Sequence, residues 1–172
     1  MLAFLAVLAV AAPLAACGKE EHTEVVEGQP LELGELRYNV AITRFLNPDD
    51  VEDQGYLEGQ PPPPAGQSYL GVFMTIDNED DEAAFPSAEE YVVVDTTGAE
   101  FHPVESESAY ALDVGASVPA GGELPIADST AAVGVIEGAM LLFLVDDAVS
   151  ESRPLKLEIE SVVGTGEVEL DI

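Results

Sequence analysis

The chain has 172 residues, 34 of them acidic and five basic, for a formal net charge of −29. Binding to nucleic acid or anionic lipid relies on Lys and Arg, so this balance excludes both as principal partners. A single cysteine rules out an internal disulfide, and a hydrophobic fraction of 47% leaves enough apolar side chains for a packed core.

Residues 1–16 carry no charge, and Leu2, Phe4, Leu5, Val7, Leu8 and Val10 form an apolar run padded by alanine. A bilayer-spanning helix needs about 20 apolar residues. Gly18, Lys19, Glu20 and Glu21 stop this run short of that. The pattern predicts a secretory segment that is removed rather than an element of the fold. Leu14, Ala15, Ala16 and Cys17 then resemble the lipobox of bacterial lipoproteins. The resemblance implies recognition of Leu14, Ala15 and Ala16 by the signal peptidase, cleavage before Cys17, and acyl chains such as palmitate on Cys17. Two or three acyl chains anchor a protein stably where one does not. The expected location is therefore the cell membrane, lipid-anchored on its extracytoplasmic face. The segment departs from the pattern in opening Met1-Leu2-Ala3-Phe4, without Lys or Arg. That departure bears on the start site rather than on the lipobox.

All the charged residues follow residue 16. The acidity is read as solvation or adaptation to salt, since ions would screen the self-repulsion. Residues 17–30, rich in Glu and containing His22, are predicted to be an acidic tether, and residues 31–172 a single domain.

Within that domain Leu36, Tyr38, Val40 and Ile42 alternate with polar or small residues, which predicts a half-buried strand ending or bulging at Phe45. A long excursion follows over 47–66, containing the four prolines 61–64, a stiff polyproline segment. Loops of this length are often functional or disordered. Leu70, Val72, Met74 and Ile76 mark one face of a second strand. Residues 91–94 form a third, joined through Thr97-Gly98 to a strand over 100–104 as a hairpin. Residues 119–122 read as a turn. Residues 139–145 are apolar throughout and read as a buried central strand, too short to cross a bilayer. Leu155, Leu157 and Ile159 alternate with Lys156, Glu158 and Glu160, and residues 167–172 repeat that pattern more weakly. No long stretch has helical period. The fold class expected is all-β, an antiparallel sandwich.

The order of these motifs carries a second resemblance. A lipobox and acidic stretch precede the Tyr69–Asn78 strand, a Val-rich strand ending in Thr97-Gly98, the Pro119-Ala120-Gly121-Gly122-Glu123 turn, and a strand ending Val145-Asp146. Over about residues 30–162 this resembles a widespread family of bacterial lipoproteins with an immunoglobulin-like β-sandwich and no assigned function. The resemblance implies a cell-surface or periplasmic, non-enzymatic module.

Candidate chemistry is sparse. Ser117, in Gly115-Ala116-Ser117-Val118-Pro119, lacks the second flanking glycine of a nucleophile elbow, and His102 beside Pro103 has no evident nucleophile. An envelope hydrolase is thus the weakest alternative. Met74 and Met140 read as core, which leaves no ligand set for copper or zinc. Asp49, Asp50, Glu52 and Asp53 are the candidates for Ca2+, but an EF-hand register from Asp50 puts Pro61 where a bidentate ligand is required. No cofactor is expected. The function expected is a non-catalytic binding module, held to the membrane through Cys17, with a protein or envelope partner. A Ca2+-binding surface domain is the alternative.

Overall fold

The computed structural model describes residues 23–172. In chain order the strands are β1 (Thr23–Val26), β2 (Leu31–Leu33), β3 (Leu36–Leu46), β4 (Gln67–Asn78), β5 (Phe85–Pro86) and β6 (Glu90–Val94). They continue as β7 (Glu100–Phe101), β8 (Ser117–Val118), β9 (Glu123–Leu124), β10 (Ala139–Asp146), β11 (Leu155–Ser161) and β12 (Gly164–Leu170). A 3-10 turn, Asp147–Glu151, joins β10 to β11.

Two sheets face each other. One has the order β1-β12-β11-β6-β7, the other β10-β4-β3-β2 with β9 also pairing β4. The protein is therefore an all-β sandwich, antiparallel except that β1 runs parallel to β12. A small third pairing joins β5 to β8.

The alternation seen in the sequence explains the main core. Leu155, Leu157 and Ile159 of β11 point inward with Val168 and Leu170 of β12 and Tyr91 and Val93 of β6. From the other sheet they meet Tyr38, Val40, Leu70, Val72, Met74 and Ile76. Many of these side chains are wholly buried, each contributing about 1.5–3 kcal/mol on removal from water. The sheets approach closely at Gly166, where a Cβ would lie 2.7 Å from Leu31 Cδ1.

A second apolar cluster lies on the other face of the β10-β4-β3 sheet. It comprises Leu46, Tyr56, Leu57, Tyr69, Phe73, Met140 and Leu142. β4 and β10 are thus covered on both faces, which accounts for their lack of polar alternation.

Several expectations need correction. Thr23–Val26 belongs to the sheet, so any tether ends before Thr23 and the domain starts earlier than residue 31. β3 ends at Leu46, next to Phe45, and its bulge falls earlier, between Val40 and Ile42. β10 is buried but is the last strand of its sheet, not a central one. Its outer edge is covered by residues 103–112: Val104 N donates to Leu142 O at 2.7 Å, and Leu112 N to Met140 O at 2.9 Å. That cover removes the hazard of an unpaired apolar edge. The strand expected over 100–104 pairs with β6 only through Glu100–Phe101, and beyond it Pro103 bridges to Phe143 of β10 instead. β12, read as weak and terminal, lies between β1 and β11.

Candidate functional site

The excursion between β3 and β4 is the most individual part of the fold, and it is built rather than loose. Asp50 N donates to Asn47 O, Asp53 N to Asp50 O, Tyr56 N to Asp53 O, and Gln60 N to Leu57 O, at 3.0–3.1 Å. Side chains close the first turns: Asn47 Oδ1 accepts from Asp49 N and Asp50 Oδ1 from Glu52 N, each at 3.0 Å. Asn and Asp favour such turns because the side chain mimics a backbone acceptor two residues back.

Asp53 ties these turns to the sheet. Its side chain is 2% exposed and pairs through Oδ1 with Arg44 of β3, while Oδ2 accepts from Asn47 N at 2.8 Å. A buried carboxylate needs such partners, because an unpaired one costs several kcal/mol in lost hydration, of order 3–5 kcal/mol.

Tyr56 anchors the next stretch. Its ring meets Phe73 edge-on at 5.0 Å between centroids and Tyr110 at 4.6 Å. Ser108 Oγ donates to Gly55 O at 2.8 Å, and Gln60 Nε2 to Glu105 O at 2.6 Å. Burial, followed by the neighbouring Tyr110, raises the Tyr56 pKa, and burial raises that of Tyr69. Both phenols therefore stay neutral well past neutral pH.

The proline strip closes the loop. Tyr69 OH donates to Pro61 O at 2.9 Å, and Gln67 N to Pro64 O at 3.1 Å. Each proline fixes its own φ. Pro61, Pro62 and Pro64 are exposed. A cavity of about 220 Å3 lies beside the strip, lined by Pro48, Gln54, Leu57, Gln60, Pro61 and Tyr69.

The residues singled out from sequence fall as follows. Cys17, Leu14, Ala15 and Ala16 lie outside the described residues, as does His22. Of the Ca2+ candidates, Asp53 is committed to Arg44 and Asn47, Asp50 to Glu52 N, and Asp49 and Glu52 are exposed. Among the described residues no three His, Cys, Asp or Glu side chains converge as a metal set. His102 follows β7 in one sheet and is exposed, whereas Ser117 is in β8, which pairs with β5. Met74 and Met140 are buried. Sequence reasoning missed Arg44 and Asp53 as a pair. The available signal was Arg44 itself, one of only five cations in so acidic a chain.

The opposite end of the sandwich has a different character. Here the β2–β3 and β11–β12 turns meet, and a Cβ on Gly34 would lie 3.1 Å from Val163 Cγ2. An apolar cavity of about 240 Å3 opens there, its lining including Leu33, Leu36, Tyr38 and Phe85. Val162 and Val163 at the tip are 89% and 62% exposed. Thr23 pairs with Gly166, beside that same turn.

No protein-family model matches the sequence, and no curated protein matches it. Solved structures share the fold. An uncharacterized β-sandwich protein from Clostridium difficile is 13% identical, with a TM-score of 0.54 over 89% of this chain and 97% of that one. The secreted protein MPT63 from Mycobacterium tuberculosis is 13% identical, with a TM-score of 0.54 over 88% of this chain and 99% of that one. The yjhA protein from Bacillus subtilis is 12% identical, with a TM-score of 0.53 over 87% of this chain and 99% of that one. At these identities the likeness concerns architecture alone.

Proposed function

We propose that this protein is an extracytoplasmic, lipid-anchored, non-catalytic interaction module that presents the 47–66 loop to a protein or envelope partner. The observation that carries the reading is the placement of the chain's two special regions. Thr23, six residues after Cys17, lies at the end of the sandwich with the β11–β12 turn, while the 47–66 loop leaves the other end of β3. β3 has 11 residues. At about 3.3 Å per residue that puts the ends roughly 35 Å apart. An anchor on Cys17 would hold the loop away from the membrane. The loop's internal hydrogen bonds and the fixed φ of its prolines mean that little conformational freedom is lost when it docks. A secreted protein among the structural neighbours accords with an extracytoplasmic location.

The test is the intact mass and membrane partitioning of the chain produced in bacteria, beside Cys17→Ser. The expected product starts at Cys17, carries acyl chains and sediments with membranes, and Cys17→Ser releases it. An unacylated product with unchanged partitioning in Cys17→Ser overturns the anchor.

A further inference from the structure

We infer that the β11–β12 turn, Val162-Val163, is a second membrane contact that seats this end of the domain against an uncharged, zwitterionic lipid surface. The inference rests on the Cys17 anchor of the preceding reading and adds an orientation to it.

Three observations point the same way. First, Val162 and Val163 are exposed large apolar side chains adjacent at one turn, at 89% and 62%. A strand pair this regular does not need them: the register runs through Ser161 and Gly164 without either valine. Val163 lies against Gly34, so the apolar tip continues into the cavity bordered by Leu33, Leu36 and Phe85. Contiguous exposed apolar surface marks an interaction site more strongly than scattered single residues do.

Second, the length of chain before Thr23 sets what this tip can reach. Only residues 18–22 separate Cys17 from Thr23. Six residue steps span at most roughly 20 Å. Thr23 pairs with Gly166, three residues past Val163. A lipid on Cys17 therefore keeps the turn close to the bilayer, where tethering raises its effective concentration at the surface. The contact need not be strong alone, because the acyl chains supply retention and the tip supplies orientation.

Third, the charges around the tip decide which lipid fits. Glu35 and Glu160 are exposed beside it. Anionic headgroups would be repelled, whereas a zwitterionic surface admits two valines without that cost. A second copy of the chain is a poorer occupant, because both tips would bring their carboxylates together.

The chain has no tryptophan and one cysteine, which makes the test clean. The chain from Cys17 onward, which retains all the described residues, is coupled through Cys17 to a maleimide lipid in phosphatidylcholine vesicles. Val162→Trp and, at the opposite end, Val51→Trp each provide a sole fluorophore. The expected result is that bromine-labelled phosphatidylcholine removes most of the Val162→Trp emission and leaves Val51→Trp unchanged. Adding Val163→Asp to the Val162→Trp chain should restore the emission, and phosphatidylglycerol in the vesicles should weaken the quenching. Vesicle-bound chain with no quenching at either position overturns the inference, as does equal quenching at both. A blue shift of Val162→Trp that follows protein concentration without lipid also overturns it, in favour of a tip-to-tip dimer. Because the lipid is attached chemically, these outcomes do not depend on whether cells acylate Cys17.

Discussion

Replacing Arg44 with Met tests the idea that the Arg44–Asp53 ion pair ties the first turns of the 47–66 loop to the sheet. Asp53 is 2% exposed at its side chain, and Arg44 is 34% exposed. Without Arg44 the Asp53 carboxylate keeps only the Asn47 N–H among the partners described above. Breaking a buried pair from one side costs about 3–5 kcal/mol. Water reaches part of Arg44, so the expected loss lies nearer the lower limit, about 2–4 kcal/mol. With a urea m-value of about 1–3 kcal/mol/M, the unfolding midpoint should fall by on the order of 1–2 M. Asp53→Asn should cost less, about 1–2 kcal/mol, because Asn retains an acceptor for Asn47 N–H and Arg44 can turn to water. Arg153→Met is the control: it too takes the net charge from −29 to −30, but at an exposed position. It should stay within about 0.5 kcal/mol of the parent. Urea is the right denaturant, since guanidinium would screen the effect. Limited proteolysis should find new cleavage within 47–60 in Arg44→Met alone. If Arg44→Met and Arg153→Met melt together, the pair does not hold the loop and the reasoning fails.

Two further expectations follow from backbone and charge. Gly138 has φ of +117°, and a Cβ there would sit 2.9 Å from Met74 O, so Gly138→Ala should destabilise by about 2 kcal/mol or more. Gly28, at φ +82° with open space around it, should lose only about 1 kcal/mol on the same change, and thermal melts compare the two. Lys156 Nζ lies 2.8 Å from both Glu167 and Glu24, and their hydrogen bonds raise its pKa above the ordinary lysine value. A raised folded pKa means stability that is complete below that ordinary value, about 10.4, and lost as pH climbs beyond it. Buried Tyr38 and Tyr91, also raised, add to the alkaline loss in the same direction. Lys156→Met should therefore flatten the decline above about pH 10 without abolishing it, as read by urea melts across the alkaline range.

The central strands were legible because half-buried strands write their burial as alternation. Leu36-Tyr38-Val40 and Leu155-Leu157-Ile159 declared their inward faces, and the Thr97-Gly98 and 119–122 turns declared the breaks between elements. β1 was hidden because four residues, Thr-Glu-Val-Val, offer one alternation at most, and their pairing depends on β12 nearly 140 residues away. β10 misled in the other direction. An all-apolar run says that both faces are covered, not where the strand sits in its sheet, and here loops supply one cover. The same is true of the 47–66 loop. Its length and prolines stood out, but its order comes from Asp53 meeting Arg44 and Tyr56 meeting Phe73, contacts that sequence alone does not pair.

The parallel pairing of β1 with β12 has a consequence for how the domain comes into being. A chain made or threaded from its N-terminus delivers Thr23–Val26 first and Gly164–Leu170 last. The first strand must wait, unpaired, for its neighbour until nearly the whole domain has emerged. The β11-β12 pairing waits as well, so the five-stranded sheet closes late while β3 and β4, adjacent in the chain, can form early. A chain cut short before Gly164 would lack β12, which is at once the partner of β1 and the strand that joins it to β11. Its β1 would have no strand partner and β11 would become an open edge, so the seven residues of β12 are what complete that sheet.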